Sequence, residues 1–119
     1  MSIESEGPSG LLVYKNISVL NAGSAVKNTP GAIYGMLLQS VANAARYIKF
    51  YDKATAPVVG TDVPKMTILL NGGNAPIQME TSNGITFLNG IGIGATTGVA
   101  DNNTGAPAAN EVIVTIFYQ

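Results

Sequence analysis

Short apolar or alternating runs, each closed by a turn signal, restrict this chain to an all-β fold. Turn signals such as Asn89-Gly90 recur at intervals of roughly 8–12 residues. The clearest strand is 45–53, where Ile48 and Phe50 face one way and Tyr47, Lys49 and Tyr51 face the other. This pattern of short strands separated by turns predicts an antiparallel β-sandwich, jelly-roll-like, with about eight strands.

One run fits two structures. Residues 36–45 are compatible with a short helix, but Gly35 weakens a helix by about 1 kcal/mol, so a strand is favoured. In the first run, Leu11, Val13, Ile17 and Val19 are expected to share one face. The predicted strands are 11–20, 25–28, 32–40, 45–53, 65–70, 77–80, 85–88, 91–97 and 111–119, with a turn at 81–84 and loops at 55–64 and 98–110.

The length of 119 residues indicates one domain. Residues 1–10 are polar with glycine and proline, which predicts a flexible N-terminal arm followed by a single β-sandwich domain over 11–119. The arm is acidic and has no apolar stretch, so it is not typical of a signal peptide. No segment reaches the roughly 18 apolar residues of a membrane helix, so no membrane partner is expected.

Charged residues make up 11% of the chain, less than half the usual share of about 25%. Either Ser, Thr, Asn and Gly cover the surface, or other subunits do, and we expect a dimer or trimer. The net charge is −1 and the basic residues are scattered, so nucleic acid is not an expected partner.

The chain has no Cys and no His. Their absence removes thiolate chemistry, the commonest general base and the Ser-His-Asp arrangement. We therefore predict no enzyme activity, no catalytic residues and no cofactor.

Two patterns suggest ligands and are better explained by structure. Residues 101–104 and Asp62 offer oxygen ligands of the kind Ca²⁺ takes, but their spacing matches no EF-hand. Asn and Asp also tolerate turn geometry, so a loop is favoured and no metal is predicted. The glycines at 90, 92 and 94 lack the Gly-Lys-Ser/Thr of a phosphate loop. They predict a strand that another backbone approaches closely.

Tyrosines and charges outside these patterns are ambiguous. Tyr14, Tyr34, Tyr47, Tyr51 and Tyr118 fit the rim of a core, a protein interface or a ligand platform. Asp52 is expected to form a surface ion pair with its neighbour Lys53 and to lie across from Arg46.

Two stretches carry a family resemblance. Residues 43–64 read NAARYIKFYDKATAPVVGTDVP, and residues 96–112 read TTGVADNNTGAPAANEV. Together with the glycine-alternating strand between them, they resemble small virion proteins of tailed bacteriophages over roughly residues 43–119. The matching positions are strand and loop residues, without a catalytic signature.

The resemblance implies a β-sandwich structural protein located in the virion and assembled in the cytoplasm of a bacterial host. Proteins of this kind often decorate or cement a capsid. The major capsid protein is then the expected partner, bound outside the lattice at its symmetry axes so that neighbouring capsomers are clamped. A tail, baseplate or head-fibre component is the first alternative.

A receptor- or carbohydrate-binding module is the second alternative. It would use Tyr47, Tyr51 and the loop 98–110, and Tyr51→Ala would then abolish glycan binding. For the leading hypothesis the expected contact regions are the arm, the loop 55–64 and the loop 98–110. The predicted interface residues are Ile3, Leu11, Tyr14, Tyr47, Tyr51, Val58, Asp62, Asp101 and Asn103.

Overall fold

The computed structural model describes residues 10–119, which form eight β-strands and contain no helix. The arm predicted over residues 1–10, and with it Ile3, lies outside the described residues except for Gly10. The strands are β1 (Leu12–Asn16), β2 (Ser24–Lys27), β3 (Gly31–Ser40), β4 (Arg46–Asp52), β5 (Met66–Leu70), β6 (Ile77–Phe87), β7 (Ile91–Thr96) and β8 (Val112–Tyr118).

The strands form two antiparallel sheets of four, which confirms the predicted β-sandwich. Sheet I has the order β1-β8-β3-β6, and sheet II has the order β2-β7-β4-β5. The pairings are nested: the first strand pairs with the last, the second with the seventh, the third with the sixth and the fourth with the fifth. Two further ladders, β3 with β8 and β4 with β7, complete the sheets.

The core lies between the two sheets and consists of alternate residues from each strand. In β4 the alternation is the predicted one, with Ile48 and Phe50 fully buried in the core. The strand interpretation of residues 32–40 is also confirmed, because β3 continues to Ser40 without a helical turn. The core residues are Val19, Ile33, Met36, Leu38, Ile48, Phe50, Leu70, Phe87, Ile91, Ile93, Ala95, Val112, Val114 and Ile116.

The facing of β1 differs from the prediction. Tyr14 pairs with the buried Ile116 and packs against the core, so Val13 lies on the outer face with 59% of its surface exposed. Successive side chains of a strand face opposite sides, so the set that contains Tyr14 faces inward here and the set that contains Val13 faces outward. The strand ends early because the Asn16 side-chain oxygen accepts a hydrogen bond from the Ser18 N–H at 2.8 Å, a turn-forming contact.

The predicted turn at 81–84 is wrong, because β6 runs through it as a single strand of 11 residues. The turn-forming residues instead produce an irregularity inside the strand. Gly84 has a φ of +78°, and its N–H donates to the Thr81 hydroxyl at 2.7 Å. The register against β3 shifts between Ile33 and Gly35, opposite this point.

Candidate functional site

Two loops of the same chain, 53–65 and 97–111, cover the outer face of sheet II over β7 and part of β4, and we call them the loop layer. The first loop packs on the glycines of β7. A Cβ atom at Gly92 would lie 2.9 Å from the Pro57 Cδ, and one at Gly94 would lie 2.7 Å from the Val59 Cγ2. The predicted tight packing on this strand is therefore confirmed, but at Gly92 and Gly94 side chains of the chain's own loop make the contact, and not another backbone.

Lys49 fastens the second loop to the sheet. Its side chain points outward from β4, yet none of its surface is exposed. The Lys49 ammonium donates a hydrogen bond to the Ala100 carbonyl oxygen at 2.6 Å. Burial lowers the pKa of this amine, and the nearby Asp101 carboxylate opposes the shift. The ammonium has one hydrogen-bond partner among residues 10–119. Moving the loop away would leave this buried charge unpaired, which costs free energy.

Tyr51 lies beside Lys49 under the loop layer, with 1% of its surface exposed. Its hydroxyl has no hydrogen-bond partner among residues 10–119. Burial raises the pKa of this phenol, and Asp62 and Asp101 raise it further. In the folded chain Tyr51 therefore presents no surface to a partner or a glycan.

The second loop is held by Asn103, one of the predicted interface residues. Its side-chain oxygen accepts hydrogen bonds from the N–H groups of Gly98 at 3.1 Å and Gly105 at 2.9 Å. The Thr97 N–H also donates to the Gly105 carbonyl at 3.0 Å.

Across residues 10–119, no three Asp, Glu, Cys or His side chains come close enough together to hold a metal ion.

Asp62 holds the first loop. It accepts hydrogen bonds from the Lys53 ammonium at 2.6 Å and from the Val58 N–H at 2.7 Å. The Lys53 hydrogen bond, followed by the Val58 N–H, lowers the pKa of the Asp62 carboxyl below its ordinary value of 3.8. Asp62 therefore acts inside the loop as a brace that keeps Val58 in place.

The brace at Asp62 predicts a pH dependence of stability. Because its pKa is lower in the folded chain than in the unfolded chain, its contribution is full above the ordinary value and is lost as the pH falls through the folded value. Asp62→Asn should reduce stability near neutral pH, and its stability should fall less steeply with acid than that of the wild type. Denaturant unfolding from neutral to acidic pH measures both. An equally steep loss of stability with acid in Asp62→Asn and in the wild type would contradict this role of Asp62.

The predicted ion pair of Asp52 is wrong, since Asp52 accepts hydrogen bonds from the turn before β7 instead. The Asn89 N–H donates at 2.7 Å and the Leu88 N–H at 3.1 Å. Burial would raise the Asp52 pKa, but these backbone donors outweigh it and lower the pKa. The ion pairs among residues 10–119 are Lys53–Asp62 at 2.6 Å and Arg46–Glu111 at 2.7 Å.

Three valines of the loop layer are exposed to solvent. Val58, Val63 and Val99 are 54%, 74% and 60% exposed. Asp101 is also exposed on this side, while Tyr47 lies half-buried on the outer face of β4. Exposed apolar side chains on loops that hydrogen bonds hold in place are candidates for a protein contact.

The outer face of sheet I, which we call the sheet I face, has no comparable cover among residues 10–119. Leu11 and Leu37 are 45% and 42% exposed there, beside Val13. A groove of about 530 Å³ crosses this face where Gly35 provides no side chain. Leu11, Leu37, Gln78, Glu80 and Phe117 are among the residues that line it.

The structure thus separates the predicted interface residues into several places. Sequence reasoning missed Lys49, Val63 and Val99, whose exposure or burial depends on how the loops fold over sheet II. It also missed Leu37, which lies on the uncovered face of sheet I. Tyr51, Val58, Asp62, Asp101 and Asn103 come together in or under the loop layer, Tyr47 lies on the same sheet, Leu11 lies on the sheet I face, Tyr14 packs against the core, and Ile3 is outside the described residues.

Two findings bear on the function of these surfaces. Across residues 10–119, no helix has the length and apolar character that crossing a bilayer requires. No protein-family model matches this chain, and no curated protein or solved structure is significantly similar to it.

Proposed function

We propose that this chain is a structural protein of a bacteriophage virion, a capsid decoration or cement protein that binds the outer capsid lattice. One observation carries the proposal. The two stretches that resemble phage virion proteins, 43–64 and 96–112, are far apart in the sequence but adjacent in space. The first supplies β4 and most of the loop that follows it, and the second supplies the other loop. Together they build the loop layer.

The strand order also supports a virion role. We infer that the sandwich is a jelly roll, because its eight strands pair as a long hairpin folded over on itself. Double-sheet jelly rolls are frequent in viral capsid proteins, although the same architecture serves other functions.

The construction of the loop layer suits a passive clamp. Lys49, Asp62 and Asn103 hold the loops by hydrogen bonds before any partner is present. Loops ordered in advance lose less conformational entropy on binding, so more of the contact energy appears as affinity. A protein that binds two assembled capsomers but not separated ones stabilises the assembly by mass action.

The major capsid protein is the proposed partner, and the exposed valines of the loop layer are the proposed contact. Val58→Lys and Val99→Lys should each weaken binding to undecorated capsids at least about tenfold, because a charge must then be desolvated in the contact. Cosedimentation of purified protein with capsids gives the affinity and the number of copies bound. Saturation at the number of lattice symmetry sites, with a raised capsid melting temperature, is the expected wild-type result.

Leu88→Lys is the matched control. Leu88 is 72% exposed, but it lies in the turn between β6 and β7, outside the loop layer. This variant should bind capsids like the wild type. If wild-type protein does not bind capsids, the decoration role is wrong, and binding to isolated tails would then support the tail alternative.

The glycan-binding alternative gains no support from the geometry. It relied on Tyr51 as an exposed stacking platform, and this side chain is buried beneath the chain's own loops. A flat aromatic surface at a sugar site must be accessible to the sugar ring.

A further inference from the structure

The sheet I face carries its charges in an unusual arrangement. The four strands of sheet I contain two charged residues, Lys15 and Glu80. Both point to the outer face, both are exposed, and neither forms an ion pair within residues 10–119. Lys15 lies on the edge strand β1 and Glu80 on the opposite edge strand β6.

Cross-strand pairing fixes where the two charges lie. Lys15 pairs with Thr115, which pairs with Leu37, and Leu37 pairs with Gln78. The next row in the direction of Phe117 contains Val13, Phe117, Gly35 and Glu80. The charges are therefore three strand spacings apart, roughly 14 Å, and one row apart along the strands.

The centre of the face, between the two charges, is mostly apolar, and Thr115 is the polar residue of the inner strands in these two rows. Leu37 and Phe117 lie on the inner strands β3 and β8, and Gly35 forms the floor of the groove between them. The face is thus a mostly apolar strip with a cation along one edge and an anion along the other.

We infer that the sheet I face binds the same face of a second copy of this chain, related by a two-fold axis parallel to the strands. Such an axis, placed between β8 and β3, sets β1 of each copy over β6 of the other. Lys15 of each copy then lies opposite β6 of the other, with Glu80 displaced by one row, about 7 Å, along the strand. Phe117 of the second copy stands over Gly35, where the groove is open. Sheets packed face to face lie about 10 Å apart, a gap that long side chains can bridge.

A second copy fits this face because the charge pattern is complementary to itself. A two-fold interface requires one patch to match its own rotated image. A partner of uniform charge would leave either Lys15 or Glu80 facing a like charge, whereas a second copy pairs both. The low charge of the remaining surface of sheet I allows the faces to meet without repulsion.

The first test is the mass of the purified protein in solution by sedimentation equilibrium. Wild-type protein should be a dimer, and Leu37→Lys should be monomeric because it inserts two charges at the centre of the interface. Leu69→Lys is the control, since Leu69 is 44% exposed against 42% for Leu37 and lies on the outer face of β5 in the other sheet. The Leu69→Lys variant should remain dimeric.

The second test exchanges the charges. Lys15→Glu and Glu80→Lys should each raise the dimer dissociation constant by about tenfold, because each change breaks both ion pairs and opposes like charges. The variant carrying both changes restores the pairs with their signs reversed, so its dissociation constant should return close to the wild-type value. A merely destabilising effect of either substitution would not be rescued in this way.

Three results would overturn the inference: a monomeric wild type, a dimer that Leu37→Lys leaves intact, or a double variant weaker than both single variants. A monomeric wild type that associates only after removal of residues 1–9 would assign the face to that segment. A monomer whose capsid binding is lost in Leu37→Lys would assign it to the capsid. The mass measurement uses this protein alone, so its outcome does not depend on the capsid proposal.

Discussion

Replacing Lys49 with alanine should lower the free energy of unfolding by about 3 kcal/mol, measured by denaturant unfolding. The change empties the space of a fully buried four-carbon side chain and removes the donor to the Ala100 carbonyl. Relief of the desolvated charge offsets part of this loss, because an ammonium is costly to bury. The cavity and the lost hydrogen bond outweigh that relief, since methylene packing fills most of the site.

Lys49→Met separates packing from hydrogen bonding, because methionine fills a similar volume without a donor. Its loss in unfolding free energy should be only about 1 kcal/mol, yet the loop 97–111 should open more often. The Thr97 amide, which donates to Gly105, reports that opening through faster hydrogen exchange. Lys65→Ala is the control, because this exposed lysine lies 5.7 Å from the Phe87 ring centre and its loss should cost no more than about 1 kcal/mol. Equal stability of Lys49→Ala and wild type would contradict the buried-anchor interpretation.

Gly92→Val should also lower the free energy of unfolding by about 3 kcal/mol, because it overfills a packed contact. A Cβ atom at this position would lie 2.9 Å from the Pro57 Cδ and 3.4 Å from the Tyr51 Cβ. The proline ring is stiff, so the loop 53–65 must move away from the sheet to admit the larger side chain. Limited proteolysis should then cut this loop faster than in the wild type, and capsid binding should weaken with it.

Gly10→Val provides the matched control for that substitution. A Cβ atom at Gly10 would meet no atom of residues 10–119 within 4 Å, and its φ does not require glycine. Its effect on unfolding should stay within about 0.5 kcal/mol. If Gly92→Val were as stable as Gly10→Val, the loop layer would be able to move and admit the larger side chain at little cost. This result would contradict the tight packing of Pro57.

Local patterns predicted the architecture well because strand periodicity and turn chemistry are local properties. The alternation around Ile48 and Phe50 placed β4 correctly, and the glycines of β7 predicted a close neighbour. The turn at 81–84 was misassigned because Asn-Gly chemistry also suits an irregularity inside a long strand. Neither the facing of β1 nor its early end follows from hydrophobicity alone, since both of its faces carry apolar residues.

The candidate surfaces were harder to predict because they depend on contacts between distant parts of the chain. Lys49 and Tyr51 were assigned to the outer face of β4, which is where they are. Their burial results from loops that begin up to about fifty residues away in the sequence. The residue pattern around β4 therefore cannot predict that the loops cover these side chains. Asp62 and Asn103 were recognised as loop residues, but their hydrogen bonds to Val58, Gly98 and Gly105 appear only in the folded chain.

The nested strand pairing sets the order in which the chain can reach its fold. β4 and β5 are joined by the shortest connection of the four nested pairs, while β1 and β8 are the first and last strands. Because the entropy lost on closing a loop grows with its length, the inner pair costs least to form from the unfolded chain. Each completed pair then shortens the effective loop for the next one outward. Folding that proceeds from the middle of the chain to its ends leaves the edge formed by β1 for last, so the sheet I face is completed only after the core is closed.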